Sequence, residues 1–500
     1  MYNPQKLHPI SYLAGVIDAI KQNIFLVIIF LVFNLKDFDF TNIRSYIFPG
    51  IVFIFFLFSF VTQVLKVYNT SYWIENDHFV LTTGIFTKAR KELNIRRIQT
   101  LDTTQGVIHQ LVGGVKLQIK TPSDGIDLDT VSKNQSELIQ QAIKAKQQDL
   151  INTAEVSQQD DTLQGHDKTL ETKGPQIIHL YKLKFKELLL MALTSGAIGV
   201  AFAALSPIIG GFSDVIPWEK ITGQFAHISQ AISVIIIMMI ALVIVGSYAI
   251  GTLIVIIRNF NYTVTQQDNQ LNIKYGLFNV KNITVPTDRV QSVVEKQSFL
   301  RNLFGYTSIH FVITSDMEDF DKDDVSLDGN VMILPFIKRE KAFEIIKNLM
   351  PNMAFAPAKQ GMPWRGFHRL FWRQALLLII IASVVAYFWK PWIFLVVGLI
   401  IIVHIIHSLK VVKVSGFKIQ NDELVVRNVT PFGFKNTYFK HDKILGMEIK
   451  KNPFLEKNNL ANFNFIIAKG PSNDNIGLKY SNDSDVTALQ SWYLGGNPHD

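Results

Sequence analysis

The stretch "DMEDFDKDDVSLDGN" places seven acids between Asp316 and Asp328. Asp319, Asp321 and Asp323 stand at the first, third and fifth positions of a calcium-loop spacing, which would supply the oxygen ligands a hard divalent cation takes. The same spacing requires Gly at position six and Glu at position twelve, and Asp324 and Asn330 stand there. The segment therefore reads as a solvated acidic loop. His404 and His407 are three residues apart and share a helical face. Two imidazoles with no further ligand in reach do not complete a metal site, which takes three or four. With Lys410 close behind, the pair reads as an interfacial anchor. No Cys occurs in the chain, and no HExxH, GxSxG, P-loop or glycine-rich dinucleotide motif is present. No catalytic residue, cofactor or metal site is expected.

A different pattern is more informative. "RIQTLDTTQGVIHQLVGG" begins at Arg97, and "RVQSVVEKQSFLRNLFGY" begins at Arg289. At an offset of 192 positions (Arg97 to Arg289), Gln99 aligns with Gln291, Gln105 with Gln297, Leu111 with Leu303 and Gly113 with Gly305. Gly84 and Phe86 align with Gly276 and Phe278 at the same offset. None of these is a nucleophile or a metal-binding group. Two readings stay open: the repeated residues hold the corner of a folded unit, or the Arg and Gln side chains form a shared docking surface for a peptide or headgroup. A glycine between a turn and a strand serves the first, where a positive φ or a close backbone approach requires it.

The elements that position these residues alternate with apolar blocks. Hydrophobic residues make up 48% of the 500 residues, and Phe alone accounts for 37. Six stretches reach the length of a membrane span, roughly 20 residues: 15–35, 47–67, 188–212, 229–257, 374–390 and 391–409. They come in pairs, the last two joined by the interfacial turn Trp389, Lys390 and Pro391. Lys66, the Lys182–Lys184–Lys186 set, Arg258, the Arg365–Arg369–Arg373 set, and Lys410 with Lys413 mark the same ends of the hairpins. Basic flanks remain on the cytoplasmic side, so both termini and every large polar segment are expected there. The N-terminal "MYNPQKLHPISYLAG" lacks the apolar core and small-residue cleavage site of a signal peptide and is expected to be retained. The net charge of +8 then reflects orientation and attraction to anionic lipid. A nucleic-acid partner has no recognition helix or stacking platform to support it.

Between the hairpins, period-two alternation with turn clusters predicts antiparallel sheets. A third, more diverged copy starts at Phe417. It sets Asp442–Lys443–Ile444 where the second has Asp288–Arg289–Val290, with no Gly matching Gly113 or Gly305. Each copy is expected to end in a helix: Ser136–Gln147, Phe336–Leu349, and about Asp485–Leu494. Aromatic-basic segments precede each hairpin ("LHPISYLAG", "IIHLYKLKFKELLL" and "WRGFHRLFWRQALL") and are expected to lie at the bilayer interface. The predicted organisation is an interfacial segment with hairpin one over 1–67, a β-rich domain over 68–150 and a flexible linker over 151–178. A second segment and hairpin (179–258) and domain (259–350) follow, then a third pair (351–410 and 411–496).

This arrangement resembles the bacterial pleckstrin-homology "membrane-flanked domain" family, specifically its long three-copy members. "GIF…RIQ", "GLF…RVQSV", "LVGG", "LFGY" and the "LHP" start carry the resemblance, across nearly the whole chain. It implies a mixed fold: about six transmembrane helices alternating with three PH-like β-barrels, each a bent seven-stranded barrel closed by a C-terminal helix. It also implies a non-enzymatic protein, and a shorter membrane-flanked relative as partner in a hetero-complex. A multi-pass scaffold of the cell membrane, in contact with membrane lipids and open to homo-oligomerisation, is the expected function. An export or envelope-protection device handling membrane-active peptides is the alternative.

Overall fold

The structure, a computed structural model, describes residues 3–9, 11–12, 46–121, 125–156, 177–195, 229–267, 269–314, 330–388, 391, 393–470 and 472–495. The chain forms two compact units. One comprises Met1–Ile178 with Thr265–Pro286, the other His179–Val264 with Thr287–Asp500. The second repeat is thus divided, its early strands in the first unit and its later strands in the second.

The first repeat contains β1 (Gln5–Lys6), helix α1 (Ile47–Asn69), β2 (Ser71–Glu75), β3 (His78–Thr83) and β4 (Ala89–Asn94). After a 3-10 turn at Ile95–Arg97 come β5 (Thr100–Gln105), α2 (Val107–Val112), β6 (Gly114–Lys120), β7 (Gly125–Ser132) and α3 (Lys133–Val156). The second repeat contains β8 (Ile177–Lys182), α4 (Phe185–Leu193), α5 (Ser229–Arg258), β9 (Thr263–Gln267), β10 (Gln270–Tyr275) and β11 (Val280–Pro286). A 3-10 turn at Thr287–Arg289 leads to β12 (Val290–Ser298), α6 (Phe299–Leu303), β13 (Tyr306–Ile313), β14 (Val331–Lys338) and α7 (Arg339–Leu349). The third contains α8 (Phe367–Phe388), α9 (Ile393–Val414), β15 (Gly416–Gln420), β16 (Glu423–Thr430) and β17 (Gly433–Lys440). After a 3-10 turn at His441–Lys443 it ends with β18 (Ile444–Lys450), α10 (Pro453–Glu456), β19 (Leu460–Lys469), β20 (Ser472–Asn482) and α11 (Asp483–Tyr493).

Every sheet is antiparallel, but the repeats are not closed barrels. In the first unit β1-β2-β3-β4 form one sheet, and a second runs β7-β6-β5-β11-β10, so strands of two repeats share it. In the second unit β14-β13-β12-β17-β16-β15 form a six-stranded sheet, again from two repeats, and β18-β19-β20 a separate three-stranded one. The later half of one repeat hydrogen-bonds the earlier half of the next. The expected self-contained barrels are replaced because the first strand after each 3-10 turn in repeats one and two finds its ladder partner in the following repeat.

The first unit's core gathers Tyr72, Phe79, Leu117 and Ile119, closed over by Ile139 and Ile143 of α3 at helical spacing. In the second unit Phe463, Phe465 and Ile467 alternate on one face of β19, under Val486, Leu489 and Trp492 of α11. Each such side chain contributes about 1.5–3 kcal/mol on burial. Trp492 is positioned further by its indole N–H, which donates to the Asn421 carbonyl at 2.9 Å.

Among the described residues three helices are long and apolar enough to cross a membrane: Pro49–Asn69, Trp364–Phe388 and Ile393–Val414. α5 carries a shorter apolar section, Ile244–Arg258. The expected span at 15–35, most of that at 188–212 and the acidic loop lie outside the described residues. The N-terminal segment before "LHP" is a strand, Gln5–Lys6 pairing with Ser71 and Tyr72. Ile177–Lys182 is also a strand, its β-branched and aromatic residues suiting a pleated surface. The third such segment is helical or turn-like, a 3-10 turn at Trp364–Gly366 leading into α8. α3 runs to Val156, into residues assigned to the linker, and Phe336 belongs to β14 rather than to a helix.

Candidate functional site: the inter-repeat seams and an apolar rim

The repeated phrase straddles a turn. Arg97 and Arg289 do not end strands: each closes a 3-10 turn and is exposed. Arg289 lies 3.5 Å from Asp288, an exposed pair worth little. Gln99 begins the path into β5, its backbone N–H donating to Lys120 at 2.8 Å. Gln291 donates to the carbonyl of Arg289 at 3.1 Å.

Gln105 and Gln297 behave alike. The Gln105 carboxamide donates to the carbonyl of Gly114 at 3.0 Å, and that of Gln297 to Tyr306 at 3.1 Å. Each clasps the turn around a short helix, α2 or α6. Gly113 and Gly305 sit at the end of that turn with φ of 70° and 68°. A Cβ would meet nothing within 4 Å at either, so the left-handed backbone, not space, selects glycine. The third repeat has the same feature under another residue type. Asn459 has φ of 50°, and Asn tolerates this region better than other side chains. In all three repeats the carbonyl of this residue accepts from the first backbone N–H of the closing helix: Lys133 to Gly113 at 3.2 Å, Arg339 to Gly305 at 3.0 Å, Asp483 to Asn459 at 3.1 Å. The residue type differs but the turn does not; the enrichment of Asn in left-handed turns is the sequence signal for it.

The seams carry the buried polar chemistry. In the first unit Val280, Lys281 and Asn282 of β11 face Gln105, Thr104 and Thr103 of β5. The ladder stops there, and the Thr284 N–H turns to the Asp102 carboxylate at 2.8 Å. Asp102 is fully buried, and that burial pushes its pKa up to about 6; the hydrogen bond from Thr284, the Lys120 charge and the Thr100 hydroxyl pull the other way. The Gln110 side chain donates to the carbonyls of Leu277 and Phe278 in the β10–β11 turn, at 3.0 and 3.2 Å.

In the second unit β12 pairs with β17 from Val293↔Tyr438 to Ser298↔Gly433. Glu295 lies within this seam with its side chain wholly enclosed. It accepts from Arg339 Nε at 2.7 Å, Asn436 Nδ2 at 2.7 Å and the Thr307 hydroxyl at 3.2 Å. One carboxylate thereby ties β12, β13, β17 and α7 together. Burial and the nearby Glu295 charge push the Tyr438 hydroxyl far above its ordinary range. Gly433 allows a close approach across the seam: a Cβ there would sit 1.9 Å from the Gln297 carbonyl oxygen.

The turns that meet at the seams are apolar and exposed. Phe86, Phe278 and Phe432 occupy matching hairpin positions in the three repeats, Phe86 98% exposed. Leu111, Leu303 and Phe454 extend the same character onto α2, α6 and α10. In the second unit this rim lies beside the basic ends of apolar helices. Arg301 of α6 reaches Thr194 and Met191 at the end of α4, and burial lowers its pKa to about 10. Lys410 of α9 stands 3.9 Å from the Phe299 ring centroid, and Arg369 of α8 donates to Phe454 at 2.9 Å. Basic side chains at span ends and exposed aromatics both suit the water–lipid boundary.

A groove of about 770 Å³ is lined by Gly305, Lys338, Arg339, Lys341, Lys347 and Phe355. Lys338 ends β14, and Arg339, Lys341 and Lys347 belong to α7. Lys338 already donates to Phe304 at 2.9 Å, Arg339 pairs with Glu295, and Glu340 also lines the groove, so its charge is partly balanced. Among the described residues no group of His, Cys, Asp and Glu could hold a metal ion.

The chain is 22% identical, over 99% of its length and 98% of the relative's, to the UPF0699 transmembrane protein YdbT of Bacillus subtilis (strain 168). No solved structure matches it. The bacterial PH domain family model matches residues 25–147 and 204–353, more than half the chain. With two repeats matched and a full-length transmembrane relative, the chain belongs to the bacterial PH domain family.

Proposed function

We propose that this protein is a non-catalytic, multi-pass scaffold of the cell membrane. Six spans hold three PH-like units at the cytoplasmic face, with both termini on that side. The units bind protein partners, foremost a shorter membrane-flanked relative, while the apolar rim rests against membrane lipid. The observation that carries this reading is the pair of seams, β5 with β11 and β12 with β17. In both, strand edges of one PH-type repeat join another, which is a chemistry of assembly. Membrane spans on either side also raise the effective concentration of any partner in the same bilayer.

Two measurements test it. Reporter fusions after Phe40, Lys220 and Lys390 should report outside, and fusions after Leu150, Phe355 and Asp500 inside; an outside signal at Leu150 would sink the orientation. Affinity purification of the full chain in mild detergent should co-purify a membrane protein carrying a bacterial PH repeat. Recovery of the chain without any such protein, before and after cross-linking in intact membranes, would remove the hetero-partner from the proposal.

A further inference from the structure

The two seams share one register. Lys281 faces Thr104 in the first, and Lys435 faces Lys296 in the second. Thr104 and Lys296 are equivalent at the 192-residue offset, while Lys281 and Lys435 are equivalent at the 154-residue offset that relates Arg289 to Lys443. That second offset also superposes the structure: the 3-10 turns match, as do the ladder pairs Lys296↔Ser308 and Lys450↔Asn462 and the register shifts at Val290/Ser292 and Ile444/Gly446. A seam is therefore a defined joint, made by the first strand of one repeat's later half and the last strand of another repeat's earlier half.

Each half of that joint occurs once more, at a sheet edge. β18 is the strand equivalent to β5 and β12, and it pairs only with β19 among the described residues. β4 is equivalent to β11 and β17, and among the described residues it pairs only with β3. Burial records the difference. Val293, Val294 and Glu295 of β12 are buried, whereas the equivalent Met447, Glu448 and Ile449 of β18 are half-buried or exposed. Lys281 of β11 is buried, whereas the equivalent Ala89 of β4 is exposed, as is Arg90 beside it.

The geometry points to β18 of one copy pairing with β4 of a second copy, in the register of the internal seams. Projected through the two offsets, that register sets Lys450 against Ala89, Ile449 against Arg90, Glu448 against Lys91 and Met447 against Glu92. Glu448, which holds an exposed pair with Lys450 at 2.9 Å within the chain, faces Lys91 in this register, opposite charges at directly opposed positions. An edge bearing Arg90, Lys91 and Glu92 repels indiscriminate strand addition, and a complementary edge is admitted where others are not. The contact is heterologous: one edge of each copy meets the other edge of its neighbour. Copies oriented alike in one membrane already share the plane in which this joint forms. The inference rests on the scaffold reading and names one of its partners, a second copy of the chain.

The absence of cysteine provides a clean test. Two differently tagged full-length chains, one carrying Lys91→Cys and the other Glu448→Cys, are co-expressed and oxidised in intact membranes. Facing residues of antiparallel strands lie about 4.5–5.5 Å apart at Cα, inside the range a disulfide spans. The expected result is a cross-link joining the two tags, and several-fold less with Met447→Cys, whose side chain points to the other face. Glu448→Lys in both chains should lower self-association of the cysteine-free protein, measured by mass in native membrane particles, and Lys91→Glu added to it should restore it. No link between tags, a link indifferent to register, or capture of a different protein by the Glu448→Cys chain would each overturn the inference. A hetero-partner found by purification alongside such a failure would leave the scaffold reading intact.

Discussion

Gly305 and Gly433 are both glycine for reasons that the same substitution separates. At Gly305 the backbone is left-handed, φ 68°, and the space beyond is open. An alanine there costs about 1–2 kcal/mol from backbone alone, and a β-branched valine up to about 3 kcal/mol. Asparagine, the residue found at the equivalent Asn459, should cost a fraction of either. At Gly433 the backbone is not left-handed, but a Cβ would stand 1.9 Å from the Gln297 oxygen and 2.7 Å from the Ser298 Cα. The strands must then part by an ångström or more. The end of the β12–β17 ladder would go with them, including the Phe299 N–H to Phe432 bond of 3.0 Å. Losing two or three such bonds at about 1 kcal/mol each gives about 2–3 kcal/mol, with asparagine no better than alanine. Hydrogen exchange on the full chain in detergent resolves the two by location. Gly305→Val should speed exchange at the start of α7 and leave Val293–Ser298 unchanged; Gly433→Ala should do the reverse. If Gly305→Asn proves as damaging as Gly305→Val, or Gly433→Ala leaves the seam protected, the reasoning fails.

Asp102 titrates with a raised pKa of about 6 in the folded chain against about 3.9 unfolded. The folded state thus keeps a proton that the unfolded state has released. This contribution is present below about pH 4, is lost as pH rises to about 6, and amounts to about 2–3 kcal/mol. Thermal unfolding across that window should show the loss in the native chain and a flatter profile in Asp102→Asn; an opposite difference would refute the assignment. Glu295→Ala strips the partners from Arg339, Asn436 and Thr307 at once and should cost about 3 kcal/mol, at the low end for a broken buried pair because Arg339 still reaches water; Glu295→Gln should cost about half that, read by the same melts. Asn459→Gly relieves a left-handed side chain with no loss of the bond its carbonyl accepts, so the third repeat should be unchanged or gain up to about 1 kcal/mol, and a clear loss would show the Asn side chain to matter.

The sequence made some of this legible and concealed the rest for physical reasons. Alternation and turn chemistry are local, so β2–β3, β10–β11 and the closing helices could be read directly, and the 192-residue offset reappears as matched turns and clasps. The pairing of β5 with β11 could not be read. A strand's inward and outward faces are set by its own alternation, and that pattern is identical whether its edge meets its own repeat or the next. Ile177–Lys182 shows a related ambiguity, since aromatic and basic residues suit an interface helix and an edge strand alike.

The seams also bear on why the phrase is written twice and not three times. Gln105 and Gln297 are the residues at which β5 and β12 meet Val280 and Phe434 of the following repeat. Each then turns its side chain back to brace the short helix whose neighbourhood contacts that repeat's apolar turn. The third repeat keeps what its own fold needs. Asn459 holds the left-handed turn, its carbonyl still accepts from Asp483, and Asn452 caps α10 with its side chain accepting from Leu455 at 2.9 Å. What it lacks is the Gln clasp, where Lys451 stands instead, paired with Asp483 at 2.5 Å. Two copies of the clasp accompany two joints to a following repeat within the chain. The third repeat has retained the turn and exchanged the clasp for a charge at the end of β18.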